Sequence, residues 1–138
     1  MYGEKAVEII KELLRENEGE ISKYNEEGVN AITQEINTLF SNNMQEVSLS
    51  NGEDASYFPG IQLRHSCIEH NKRCILSYAH HRITKLRNIR WDIGAILEDN
   101  IQDRLSKNEK EFFYRYCQNL DKYIEKIGLD ITKVYLIY

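Results

Sequence analysis

With 138 residues, 41% of them hydrophobic, and a formal charge of −4, the chain has the size and apolar content of one compact domain with its own core. Its bulk acidity excludes a general polyanion binder, and it has no apolar run long enough to span a bilayer. Cys67, Cys74 and Cys117 are an odd number without disulfide-framework spacing, and Met1 leads into an acidic amphipathic segment, not a signal peptide, so a reducing, intracellular setting is expected.

In chain order, Gly3 to Glu16 predicts a first helix, with Ala6, Val7, Ile9, Ile10, Leu13 and Leu14 apolar and Glu8 and Glu12 placed to pair with Lys11 and Arg15. Gly19 breaks it. Asn25, followed by Glu26 and Glu27, is a good N-cap for a second helix through Val29, Ile32, Ile36, Leu39, Phe40 and Met44 to about Val47. Ser48 to Gly60, with Asn51-Gly52 and the only proline, Pro59, reads as a surface loop.

The next stretch, Arg64 to Gly94, reads as one long helix. Between Arg64 and Arg90 it holds Arg64, Lys72, Arg73, Arg82, Lys85, Arg87 and Arg90 against Glu69 alone, while 21 of the 22 Asp and Glu lie elsewhere. Ser66-x-x-Glu69 has the form of a capping box, and Ile68, Ile75, Ala79, Ile83, Leu86 and Ile93 recur at helical spacing. Cys74, Tyr78 and Ile89 widen that stripe on one flank and Leu76 on the other. Arg82 and Arg90 sit close to it, so each needs a carboxylate partner or must snorkel to water. Gly94 is the expected terminator.

Beyond it, Asp99 is placed to cap a brief helix through Ile101 and Leu105. Ser106-x-x-Glu109 opens a last long helix carrying Phe112, Phe113, Tyr116, Leu120, Tyr123, Ile124 and Ile127, which Gly128 ends. Ile131 to Tyr138 changes to β-branched and aromatic residues and predicts a strand. The expected fold is all-α, an antiparallel helical bundle over residues 1–128, with 129–138 a linker or the start of a truncated β-rich domain.

Signals for chemistry are sparse. There is no glycine-rich phosphate loop and no nucleophile signature. Cys67, His70 and Cys74 would share a helix face, but one helix cannot close a tetrahedral zinc site alone, so buried thiols and polar histidines are the better reading. His80 and His81 point in different directions around a helix and suit a surface. No metal or cofactor is expected. The basic helix with its aromatics has an alternative use as a nucleic-acid-binding module, by stacking and charge, although its apolar stripe is then also wanted for a core.

The sequence resembles the Psf-one family of subunits of the eukaryotic GINS complex. The resemblance rests on MYGEKAVEIIKEL at the N-terminus, YNEEGV at Tyr24 to Val29, and above all RHSCIEHNKRCILSYAHHRITKLRNIRWDIG followed by Ala95-Ile96-Leu97. Within that block lie the family's histidine-cysteine opening (His65 to Cys67), its asparagine-basic-Arg-Cys element (Asn71 to Cys74) and, with one substitution, its Arg-x-Arg-Trp-acidic-x-Gly ending (Asn88 to Gly94). Glu109 to Phe113 and Gly128 to Thr132 also look like the family's last helix and the linker behind it.

What the resemblance implies is a non-catalytic helical domain, assembled with the three other GINS subunits (Sld-five and the two other partner-of-Sld-five chains) into a heterotetramer. That assembly would scaffold the replicative helicase in the nucleus with Cdc-forty-five and the Mcm ring. A β-rich second domain, of which the sequence holds at most an opening strand, would carry contacts to Cdc-forty-five and the leading-strand DNA polymerase. On this reading the basic helix meets acidic surface, internal or on a neighbour. The expected interface residues are Arg73, Arg82, Arg87 and Arg90 for charged contacts and Tyr78 and Trp91 as packing anchors.

Overall fold

The computed structural model describes residues 1–17, 19–50 and 55–133. Among them are five α-helices, α1 (Glu4–Leu14), α2 (Glu26–Leu49), α3 (Phe58–Asp92), α4 (Asp99–Gln102) and α5 (Lys107–Ile127), with a 3-10 turn at Ala55–Tyr57. The all-α expectation holds. Of the expected strand, Ile131 to Lys133 form a turn and bend, and 134–138 lie outside the described residues. The chain forms two compact units, Met1–Glu16 with Asn25–His81 and Asn17–Tyr24 with Arg82–Tyr138.

In the first unit the helices hold one another's ends. Gly3 caps α1 in the left-handed region (φ 83°) and offers no side-chain cap. Its amide donates instead to both carboxylate oxygens of Glu35 on α2, at 3.2 Å each, and Glu35 also accepts from Asn71 Nδ2 on α3 at 2.7 Å. Asn25 caps α2 as its sequence predicts, Oδ1 accepting from the Gly28 amide at 2.7 Å while Nδ2 donates to Glu12 of α1 at 2.8 and 2.9 Å. The Asn25 amide itself donates to the Tyr78 hydroxyl on α3 at 2.9 Å. These pairings make α1 antiparallel to α2 and α2 antiparallel to α3. Ala6, Ile9, Ile32, Leu39, Ile68, Cys74 and Tyr78 are buried.

Both ends of the loop expected from Ser48 to Gly60 are helical, and 51–54 lie outside the described residues. α2 continues to Leu49 and α3 already begins at Phe58. Pro59 falls in the first turn of α3, where its missing N–H and fixed φ cost nothing. Ser66 and Glu69 therefore stand inside a helix and form no capping box. Glu69 turns to Lys72, whose Nζ donates to it at 3.1 Å and holds its carboxyl below the usual range.

In the second unit Ser106 and Glu109 form the expected capping box at the head of α5, with Glu109 N donating to Ser106 Oγ at 3.3 Å and Ser106 N to Glu109 Oε2 at 2.9 Å. Gly128 closes the helix at φ 73°, a conformation that only glycine adopts without strain. α4 is capped by Glu98, with Asp99 its first residue and not its cap. Ile21, Leu86, Ile89, Leu105, Phe113 and Cys117 make the core, with Leu97, Ile101 and Phe112 packed against it. Burying a side chain such as Leu86 or Phe113 contributes about 1.5–3 kcal/mol. Arg82 pairs with Glu109 and Arg90 with Asp121, so α5 runs in the same direction as the last turns of α3.

The buried stripe of α3 is rotated from the one its apolar residues predict. The buried positions are Ile68, Asn71, Cys74, Tyr78, Arg82, Leu86 and Ile89, spaced by three and four, with Arg90 beside the last of them. Ala79 and Ile93 are exposed, and Ile75 and Ile83 are half-buried. The centre of the stripe is polar because Asn71 and Arg82 each find a carboxylate, Glu35 and Glu109, on the helix packed against them.

Candidate assembly surface

The positive charge of α3 is largely taken up inside the chain. Arg64 donates through Nε to Asn43 Oδ1 at 2.6 Å and forms an ion pair with Glu46, both on α2. Lys72 pairs with Glu69. Lys85 Nζ donates to the Glu20 carbonyl at 2.6 Å. Arg90 pairs with Asp121 at 3.1 Å. For the arginines Arg64, Arg82 and Arg90 the partner acid, Glu46, Glu109 or Asp121, comes from outside the basic stretch.

Arg82 is the hub of the second unit. It is 0% exposed, and its Nε and Nη2 reach the two oxygens of Glu109 at 2.6 and 3.2 Å. Nη1 donates to the Ser22 carbonyl at 2.8 Å and Nη2 to the Arg104 carbonyl at 3.2 Å, while the guanidinium lies over the Tyr24 ring, 5.5 Å from its centroid. One side chain therefore ties the segment before α2, the segment before α5 and the α5 capping box together. Tyr24 N adds a bond to the same Arg104 carbonyl at 2.8 Å, and Arg104 Nη1 donates to the Ile21 carbonyl at 3.1 Å.

Of the six residues expected at an interface, Tyr78, Arg82 and Arg90 are buried within this chain and hold its helices together. Arg73, Arg87 and Trp91 face solvent. Arg87 lies over the Tyr116 ring at 5.8 Å, and Trp91 Nε1 donates to the Tyr116 hydroxyl at 2.9 Å. Periodicity assigned Phe40 and Met44 to the packed face of α2. They are 57% and 55% exposed, and Val47, one turn on, is 52% exposed. Their displacement from the Ile32, Leu39 and Asn43 side of the helix is the available signal, since Asn43 marks the buried line through its bonds to Arg64 and the Ile61 carbonyl. Leu76 and Tyr123, also read as apolar packing residues, are more than half exposed.

The remaining polar chemistry is structural. His70 Nε2 lies 3.7 Å from Cys74 Sγ, and His81 Nε2 lies 3.3 Å from a Glu16 carboxylate oxygen. Burial pushes the Cys74 and Cys117 thiols up, and at Cys117 the Arg90 guanidinium opposes part of that rise. No helix among the described residues is long and apolar enough to cross a membrane.

Five cations of α3, Arg64, Lys72, Arg82, Lys85 and Arg90, are thus held by groups of this chain, and its exposed residues include large apolar ones. Residues 22–128 match the family described as the GINS complex protein helical bundle domain, Sld5. The chain is 34% identical over 138 residues to the DNA replication complex GINS protein PSF1 of Xenopus laevis, covering 96% of this chain and 70% of the relative. The chain belongs to the PSF1 family of GINS proteins. Identity to PSF1 of Homo sapiens is 32% over 138 residues, and to the probable PSF1 of Dictyostelium discoideum 32% over 135 residues, with the same 96% and 70% coverage in both. The match to the helical-bundle family takes in α2 to α5 and the Arg82 hub, and the alignments to PSF1 relatives cover nearly all of this chain.

Proposed function

We propose that the chain is a non-catalytic scaffold subunit acting in DNA replication in the nucleus, assembled with Sld-five and the two other partner-of-Sld-five chains into a heterotetramer. The observation that carries this reading is the similarity to PSF1 proteins over 96% of the chain. The geometry supports it: ion pairs join neighbouring helices within each unit, half-buried Arg64–Glu46 in the first and buried Arg82–Glu109 in the second, while Phe40, Met44 and Val47 on α2 and Trp91 on α3 offer apolar surface to a partner. Through that assembly the chain would serve the replicative helicase with Cdc-forty-five and the Mcm ring. Arg64, Arg82 and Arg90 of α3 sit in ion pairs that join helices of this chain, a structural use of charge that suits a scaffold.

A nucleic-acid-binding use of α3 has less support. Arg64, Lys72, Arg82, Lys85 and Arg90 are held by partners inside the chain, and a phosphate backbone needs a track of available cations. The scaffold reading is tested by co-expressing this chain, tagged, with the three other subunits and capturing through the tag. Retention of all three in equal amounts is the expected result. Recovery of the folded chain alone would overturn the reading. Capture of Cdc-forty-five and Mcm by the tetramer, tested next, addresses the helicase role.

A further inference from the structure

Arg87 stands apart from its neighbours on the last turns of α3. Arg82 and Arg90 are buried and paired with Glu109 and Asp121, and Lys85 is tied to the Glu20 carbonyl. Arg87 is exposed, and no carboxylate among the described residues lies within ion-pair distance of it. It rests on the Tyr116 ring, 5.8 Å from the centroid, and Phe112 stacks against that ring at 6.1 Å with an interplanar angle of 14°. One turn along α3, Trp91 is 42% exposed and gives its indole N–H to the Tyr116 hydroxyl at 2.9 Å.

Each of these facts has a consequence for what could lie on top. A guanidinium laid on an aromatic ring is held in place, so its donor edge meets a carboxylate with little further loss of freedom. The indole has one polar atom, and that atom is already satisfied within the chain, so the exposed part of Trp91 asks for aliphatic cover and not for a hydrogen-bond acceptor. Trp, Tyr and Arg clustered in this way are the residue types that dominate protein interfaces. A nucleic-acid strand fits poorly, because Arg87 is a single cation with the exposed Asp92 close by in sequence on a chain of net charge −4.

We propose that Arg87, Trp91 and Tyr116 form a preassembled docking patch for a helix of another GINS subunit, one that presents a carboxylate to Arg87 and an aliphatic side chain to Trp91. This rests on the scaffold reading and names the surface and the chemistry of its partner. The patch lies wholly within the second compact unit.

Trp91 is the chain's single tryptophan, so a probe can be placed there alone. The chain is labelled with fluorotryptophan and assembled with the three unlabelled partner subunits, and its fluorine resonance is followed together with access to iodide. The expected result is a shifted resonance and loss of iodide access on assembly. Arg87→Glu and Trp91→Ala should each weaken assembly by ~10-fold or more, with the variants still folded by circular dichroism, whereas Arg73→Glu should change it by less than ~3-fold. Assembly with Trp91 unchanged, or undiminished assembly by folded Arg87→Glu, overturns this proposal and leaves the scaffold reading standing. A shift produced by the chain's own concentration or by a single-stranded oligonucleotide, with none on adding the subunits, also overturns it. Failure of the unsubstituted chain to assemble would remove the scaffold reading and this proposal with it.

Discussion

Arg82→Met keeps the length of the side chain and removes its charge and donors, which isolates the hub at the centre of the second unit. The substitution deletes two bonds to the Glu109 carboxylate and one each to the Ser22 and Arg104 carbonyls. Glu109 keeps the Ser106 amide and Arg104 keeps the Tyr24 amide, so part of the cluster survives. What remains is a carboxylate without its countercharge, its side chain only 10% exposed. Two bonds to a charged group at about 1.5–3 kcal/mol each bracket the same range as the breaking of a buried ion pair, about 3–5 kcal/mol. A domain of this size has about 5–15 kcal/mol in all, so the variant should lose a large part of its stability. Urea unfolding followed by circular dichroism and by Trp91 fluorescence reads the effect. Arg82→Met/Glu109→Met removes the stranded charge and should show a coupling of at least about 2 kcal/mol, while exposed Arg73→Met should stay within about 0.5 kcal/mol. A loss below about 1 kcal/mol for Arg82→Met would refute the assignment of Arg82 as the hub.

A Cβ at Gly28 would lie 2.8 Å from Asn25 Oδ1, so Gly28→Ala should displace the cap and destabilise by about 1 kcal/mol, yet stabilise in an Asn25→Ala background, where only helix propensity acts; thermal unfolding of the four variants shows whether the sign reverses. Glu35→Ala should free the start of α1, with faster hydrogen exchange in its first turns and little change in α5; equal acceleration in both helices would contradict the local role. The Cys74 and Cys117 thiols are pushed up in the fold, so the folded state holds their protons above the ordinary thiol range while the unfolded state releases them. Their contribution to stability is therefore complete below that range and is lost as pH rises beyond it through the raised folded values, and native-state alkylation at mildly alkaline pH should label half-buried Cys67 well before either. Asp130, whose carboxyl Thr132 holds below the usual range through its hydroxyl and amide, works in the opposite direction, and its turn should loosen as pH falls through the aspartate range.

The helices were legible because their ends carry local chemistry. Asn25, Ser106 with Glu109, and Gly128 act within one turn of themselves, and each does in the fold what its sequence implies. The start of α3 was not, because Pro59 and Gly60 weigh as breakers in a sequence but suit a first helical turn, and Ser66-x-x-Glu69 has the form of a cap without being at an end. The buried stripe of α3 was misplaced for a different reason. Periodicity counts apolar residues, whereas Asn71 and Arg82 are buried by partners 36 and 27 residues away, which no local pattern reports. The need of Arg82 and Arg90 for carboxylates was readable from their place beside the stripe, but not which carboxylates. For the exposure of Phe40, Met44 and Val47 the sequence holds only their offset from Ile32 and Leu39, since an apolar residue looks the same in a sequence whether its own chain covers it or another does.

The proposed scaffold role requires that other chains of the GINS assembly complete this one. The most direct measurement is the mass, by light scattering, of the species formed when the purified chain is combined with the three other GINS subunits. One species with the mass of a single copy of each chain is the predicted result. A folded chain that elutes by itself, as a monomer or its own oligomer, in the presence of all three would contradict the account.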